Sequence, residues 1–200
     1  DPSIKIEINE ETGENLMSGM GELHLEVIEN RIKSEKGVDI VTSAPIVVYR
    51  ESIKIKSVEV EGKSPNKHNK FYIIVEPLDD NIYQAIKSGE IPAIRIKKKD
   101  QGIVDKLRAL GLDAKEAGNY KEFFKGNVLV DNTRGIVHIG EILEMVLDSF
   151  REVMSEGPLT REPGFKVRVR LMDCKLHEDT IHRGPAQVMP AVREAIKLAM

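Results

Sequence analysis

Two hydrophobic periods alternate along this chain, and the changes between them mark its elements. Ile4, Ile6 and Ile8 alternate with Lys5 and Glu7, the period of a strand. The polar run Asn9-Glu10-Glu11-Thr12-Gly13-Glu14-Asn15 turns that strand back into Leu16 and Met17 as a hairpin. Spacing then becomes helical. Leu25, Ile28 and Ile32 share a face with Leu23 and Val27 beside it, after an opening at Ser18-Gly19-Met20-Gly21-Glu22 and before Lys33, Lys36 and a closing Gly37. Val38 to Val41 and Ile46 to Tyr49 lead out of this first unit as extended chain.

From about Ile53 a second unit begins. Ile53, Ile55, Val58 and Val60 predict a strand with an irregularity at Ser57, and Phe71 to Val75 a buried strand ended by Pro77. Between them, Gly62 to Lys70 is a loop whose charges are all positive. Asp79-Asp80 caps a helix with Ile82 and Ile86 that stops at Gly89, and Asp100 caps one with Ile103, Val104, Leu107 and Leu110 that stops at Gly111. Leu112 to Lys125 gives mixed signals, with a short helix over 113–117. Asn127 to Val130 predicts a short strand. Ile139, Ile142, Val146, Phe150 and Val153 predict a long core helix stopped by Gly157-Pro158. Phe165, Val167, Val169 and Leu171 alternate with the basic positions Lys166, Arg168 and Arg170. Val188, Ala191, Val192, Ala195, Ile196 and Ala199 predict a last helix, in which Pro190 belongs to the first turn. Strands interleaved with helices predict an α+β fold, helices on one face of a mixed sheet.

The last strand and last helix deliver and remove the stretch 173–186, which holds the single Cys and two of the five His. Four chemistries fit its residue types. Cys174, His177, Asp179 and His182 are acceptable zinc ligands, but four ligands within nine residues, without a Cys-x-x-Cys pair, match structural zinc spacing poorly. Cys174 with His177 or His182 would make a nucleophile and base, a Cys/His-dependent enzyme site, given an orienting group and an oxyanion site. A plain polar surface loop is the third reading. The fourth is an RNA contact, with an imidazole able to stack on bases or donate to phosphates and Arg183 offering a planar fork.

Composition narrows these classes. Aromatic residues are 4 % and Trp is absent, so the cores are built from Ile, Val and Leu. One Cys excludes an internal disulfide and is compatible with a reducing compartment. No apolar run approaches the roughly 18 residues of a membrane span, and a cytoplasmic monomer is expected. The net charge of −3 leaves basic contact to local patches: Lys63, Lys67, His68 and Lys70; Arg95 with Lys97 to Lys99; and Lys166, Arg168 and Arg170. No Gly-x-x-x-x-Gly-Lys-Ser/Thr run is present, so nucleotide hydrolysis is not expected of these residues. Asp1 in place of an initiator Met, and a final helix with no closing Gly or Asn, suggest a piece of a longer polypeptide.

Leu176-His177-Glu178-Asp179-Thr180-Ile181-His182-Arg183-Gly184 resembles the tip loop of domain IV in the elongation factor 2 family, the ribosomal translocases of archaea and eukaryotes. Ser18 to Glu26 resembles that family's domain III, Tyr49-Arg50-Glu51 its exit into domain IV, and the Lys63 to Lys70 loop and Glu156-Gly157-Pro158-Leu159 follow in the same order. The resemblance implies the second half of a ferredoxin-like domain III over 1–52. Over 53–200 it implies a domain IV with the fold of the second domain of ribosomal protein S five, including a left-handed βαβ crossover. It implies that His182 is converted to diphthamide by dedicated synthesis enzymes and is the target of ADP-ribosylating toxins. Asp173, His177, Asp179, Ile181, Arg183 and Gly184 would support that loop, with Lys63, Lys67, His68, Lys70, Lys166, Arg168 and Arg170 as RNA contacts. Implied partners are the ribosome at its decoding centre, with rRNA and the tRNA–mRNA pair. GTP and magnesium would belong to the parent factor, a GTPase, with no cofactor in these residues. One departure is visible: many family members carry a run of glycines after the Arg, whereas here the chain reads Gly184-Pro185-Ala186, which restricts the loop's exit.

Overall fold

The structure, a computed structural model, describes residues 2–8, 15–45, 47–96, 100–136 and 138–200. It forms two compact units, Asp1–Val48 and Tyr49–Met200, dividing four residues before the expected 52/53 division. In the first, β1 (Lys5–Ile8) pairs antiparallel with β2 (Asn15–Ser18), Lys5 opposite Ser18 and Ile8 opposite Asn15. The turn expected over 9–15 lies largely outside the described residues. Helix α1 (Glu22–Lys36) ends where Gly37 takes φ 63°, the left-handed cap its sequence predicted. Leu23 and Val27 remain exposed, because a two-stranded hairpin is too small a surface to cover a helix face.

The second unit is built on a five-stranded mixed sheet of order β3-β4-β7-β6-β5. Its strands are β3 (Val60–Lys63), β4 (Lys70–Pro77), β5 (Tyr120–Phe124), β6 (Asn127–Asp131) and β7 (Val167–Lys175). All neighbours are antiparallel except β6 and β7, which are parallel and joined through helix α5 (Ile139–Ser155). Helix α6 (Pro185–Ala199) packs with α5 over Phe71, Ile73, Val75, Val169 and Leu171. A second cluster joins α2 (Asp80–Lys87), α3 (Gln101–Ala109) and the short α4 (Ala114–Ala117) to Tyr120, Phe123, Val128 and Val130.

The expectation of helices on one face is therefore corrected. Leu129 belongs to the first cluster while its neighbours Val128 and Val130 belong to the second. A continuous apolar run is what a strand buried on both faces requires.

Four further corrections concern boundaries. Residues 53–58 do not pair as a strand. Ser57 donates its N–H to the Val75 carbonyl at 2.8 Å and Ile53 packs against the core, but Ile55 and Val58 are exposed. Strand β5 lies in the stretch read as mixed, where buried Glu122 breaks the apolar pattern. Strand β7 runs four residues past Leu171, because its register against β4 shifts between Tyr72 and Ile73, and Met172 becomes the extra residue of a bulge. Pro190 is not in the first turn of α6. Pro185 takes that place, and Pro190 sits in the second turn.

Gly62 holds β3 against α6. A Cβ there would collide with the Ala191 carbonyl oxygen and lie 2.8 Å from the Ala195 Cβ, both on a helix that cannot yield cheaply. Gly62→Ala is expected to lose about 1–3 kcal/mol, lowering the melting temperature by about 2–4 °C per kcal/mol, as read by thermal denaturation followed by circular dichroism.

Candidate functional site

The β4–β7 ladder ends at Lys70 opposite Lys175, and beyond it the two chain segments meet. One is the β3–β4 loop. Ser64 N donates to Asn69 O at 3.0 Å and Asn69 N to Ser64 Oγ at 2.9 Å, while Asn66 N donates to Gln187 Oε1 on α6 at 3.0 Å. Lys67 takes φ 62° at the turn, and its exposed ammonium has no carboxylate partner among the described residues. The other segment leaves β7 at Leu176 and closes as a 3-10 turn, Thr180–Arg183.

Asn69 joins the two. Fully buried, it accepts from His177 N at 3.0 Å through Oδ1 and donates to His182 O at 2.7 Å through Nδ2. Asp179 caps the 3-10 turn, accepting from Ile181 N at 3.0 Å, and its own N–H donates to His177 Nδ1 at 3.0 Å. That bond makes Nδ1 an acceptor and leaves Nε2 as the ring's outward nitrogen.

Arg183, 3 % exposed, reaches back beneath the turn. It donates to the carbonyls of His177 and Glu178 and to Glu141 Oε2 at 2.7 Å on α5. Arg183, then His138, hold the Glu141 carboxyl below the usual range. Arg183 is thus a structural cation, and its fork is not free to meet RNA.

The result is a cluster of three imidazoles. Ring centroids of His68 and His177 are 4.9 Å apart, of His68 and His182 4.9 Å, and of His177 and His182 4.5 Å. His68 comes from the β3–β4 loop and the other two from the segment after β7. Ile181, next to His182 in the chain, is 80 % exposed and projects into solvent. Gly184 is the N-cap residue of α6.

The remaining sequence candidates separate from this cluster. Lys63 and Lys70 converge on Glu61, at 3.0 and 3.2 Å, near the apex. Together with the Tyr72 hydroxyl, and Lys63 foremost, they pull Glu61 down to about 2. Lys166 precedes the far end of β7, about 30 Å away for a nine-residue strand, where it pairs with Asp80 at 2.5 Å and lies over the Tyr83 ring. Arg168 is buried against Tyr120, Asp79 and Glu76, and Arg170 against Glu76 and Glu116. The basic face read from the alternation is neutralised internally. Arg95 is likewise matched by Glu144 and Asp148, and Lys97 to Lys99 lie outside the described residues.

Asp173 is exposed on β7, and its carboxylate accepts from Cys174 N at 2.8 Å. The bulge turns Cys174 inward into the core. Burial, with Asp173 and Asp131 adding to it, pushes its thiol up to about 12. A nucleophilic Cys174 needs the thiolate, which this site suppresses. Among the described residues no group of three or more His, Cys, Asp or Glu side chains is arranged to hold a metal ion, and no helix is long and apolar enough to cross a membrane.

With this geometry in place, the family described as Elongation factor G, domain IV matches residues 86–200, and Elongation factor G, domain III matches residues 1–44. The chain belongs to the family of translation elongation factors G and 2. Elongation factor 2 of Thermococcus sibiricus is 54 % identical over 200 residues, covering all of this chain and 27 % of that protein. Elongation factor 2 of Nanoarchaeum equitans is 53 % identical over 204 residues, and that of Methanococcoides methylutens 54 % over 200. The chain thus spans about a quarter of the length of these relatives. At the imidazole cluster, sequence reasoning found His68, His177 and His182 but missed Asn69 and Glu141. A polar side chain ending a charged loop gives no sign that it will be buried.

Two outcomes follow from this geometry. Asn69→Ala strips partners from two partly buried backbone groups, so hydrogen exchange at His177 is expected to accelerate while β7 amides keep their protection. The Cys174 thiol stays protonated to about 12, so native protein at pH 8 is expected to resist iodoacetamide, and protein unfolded in guanidinium to react fully. This thiol's contribution to stability is intact below its ordinary value of 9.0 and is lost as pH rises toward about 12.

Proposed function

We propose that this chain supplies the part of a GTP-dependent ribosomal translocase that moves tRNA and mRNA, and that the three-imidazole apex is the end that enters the decoding centre. The observation that carries this is the placement of His182 at the far end of the central strand, fixed by Asn69 from below and flanked by His68 and His177. Lys67 adds an unmatched positive charge beside it. A half-buried imidazole on a rigid turn, with an exposed apolar Ile181 and a free ammonium nearby, suits stacking and phosphate contact with single-stranded or splayed RNA. The apex acts by binding and holds no group poised for bond-making.

In this reading His182 carries the diphthamide extension, which its edge position leaves room for. The diphthamide-synthesis enzymes and ADP-ribosylating toxins act there. GTP and magnesium belong to other parts of the whole factor, which works in the cytoplasm as a monomer on the ribosome. Residues 1–52 form the second half of a ferredoxin-like domain III, and residues 53–200 a domain IV with the fold of ribosomal protein S five domain 2. Lys63 and Lys70 join the contact surface through their shared pairing with Glu61. Lys166, Arg168 and Arg170 do not, since their charges are matched along β7, roughly 17 to 30 Å from its apex end at about 3.3 Å per residue.

His182→Ala in the whole factor is expected to lower single-round translocation by about tenfold, the size of one lost recognition contact of about 1.4 kcal/mol, while ribosome-stimulated GTP hydrolysis stays at the native rate. Loss of hydrolysis in a folded variant, or unchanged translocation, would count against the proposal.

A further inference from the structure

Two motifs of the sequence, Tyr49-Arg50-Glu51 and Glu156-Gly157-Pro158-Leu159, have no part in the apex. The structure brings them together at the opposite end of β7. Glu51 is 6 % exposed. Its carboxylate accepts from Leu159 N at 2.9 Å, Thr160 N at 2.8 Å, Glu162 N at 3.2 Å and Thr160 Oγ1 at 3.3 Å. Successive backbone N–H groups converging on one point make an anion nest, and the anion here is the chain's own carboxylate.

Main-chain bonds reinforce it. Glu51 N donates to Pro163 O at 3.0 Å, Phe165 N donates to Glu51 O at 2.7 Å, and Glu51 and Gly164 form a parallel bridge. Gly157 completes the seat, because a Cβ at that position would collide with the Glu51 carboxylate. Burial works to raise the Glu51 pKa, but the amides of Leu159, Thr160 and Glu162 outweigh it and keep the carboxyl below its usual range.

The loop that holds Glu51 runs directly into β7. Phe165 lies two residues before the strand, Lys166 O accepts from Leu78 N at 2.9 Å, and Val167 N donates to Asn127 Oδ1 at 3.0 Å. From there β7 continues between β4 and β6 to the apex.

We propose that Glu51 is a positioning residue: its carboxylate pins the segment by which the chain enters the second unit to the base of β7, so that segment and apex move as one body. Without the pin, residues 49–52 would become a pivot, and displacement of the entering chain would be lost before it reached the imidazole cluster. This inference rests on the function proposed above. Glutamine has the shape of glutamate but turns an N–H toward a ring of N–H donors, so Glu51→Gln breaks the nest without removing volume.

Hydrogen exchange on the 200-residue chain reads the pin itself. Glu51→Gln is expected to lose about tenfold or more of the protection at Glu51, Thr160, Glu162 and Phe165, with Ile181 and His182 unchanged. In the whole factor the same variant is expected to slow single-round translocation by about tenfold, with native GTP hydrolysis. Leu107→Ala, buried in the other cluster and away from this path, serves as the destabilised control and is expected to translocate at the native rate. Unchanged protection in Glu51→Gln overturns the pin whatever the apex does. Lost protection with native translocation, or equal slowing in Leu107→Ala, overturns the positioning role. Native rates in both Glu51→Gln and His182→Ala overturn the translocase reading and the positioning role with it, leaving the pin to be judged by exchange alone.

Discussion

The antiparallel ladder between β4 and β7 is the constraint on which the apex depends. Its register sets Lys70 opposite Lys175, so the segments beyond both strands emerge side by side and a carboxamide on one can bond two backbone groups of the other. The ladder is deep in the unit, with Phe71, Ile73, Val75, Val169 and Leu171 all in the core beneath α5 and α6. The bulge at Met172 belongs to the same device. It adds local twist and shifts the phase of the strand, sending Cys174 inward and leaving His177 to start the turn at the surface.

Charge is distributed to match. The arginines packed on the sheet are paired. Arg168 and Arg170 meet Glu76, Asp79 and Glu116, and Arg95 and Arg151 meet the fully buried Glu122. Burial raises the Glu122 pKa, and Arg151 and Arg95 oppose that rise. Such pairs repay part of the cost of burying each charge and confer little net stability, but removing one partner strands the other. At the apex the balance differs. Arg183 is spent on holding the turn, Lys63 and Lys70 share Glu61, and the exposed Lys67 and Lys175 have no carboxylate partner among the described residues.

Much of this was legible in the sequence. Helices α3, α5 and α6 declare themselves by apolar spacing, and the Asp100 cap of α3 by residue type, accepting two backbone N–H bonds, whereas Asp79 at the start of α2 makes no side-chain cap bond. What could not be read is what depends on contacts distant in sequence. His68 and His182 meet only because the ladder closes a separation of more than a hundred residues, and Asn69, 113 residues from His182, looked like any loop Asn. The alternation of Lys166, Arg168 and Arg170 was real, but an outward face of one strand can still be covered by α2 and α4. Strand β5 was hidden because Glu122 places a charge where the pattern calls for an apolar residue, which only Arg95 and Arg151 make tolerable. Family resemblance supplied the role proposed for His182, which neither period nor composition contains.

The central claim is that His182, and not its neighbours, is the working side chain of the apex. Peptide-mapped mass spectrometry of the protein purified from its own cells tests it most directly, since three imidazoles within 5 Å offer nearly equal chemistry to any modifying enzyme that reads residue type alone. The account predicts added mass on His182 with His68 and His177 unmodified. Added mass on either neighbour, or an unmodified His182 throughout, would contradict it.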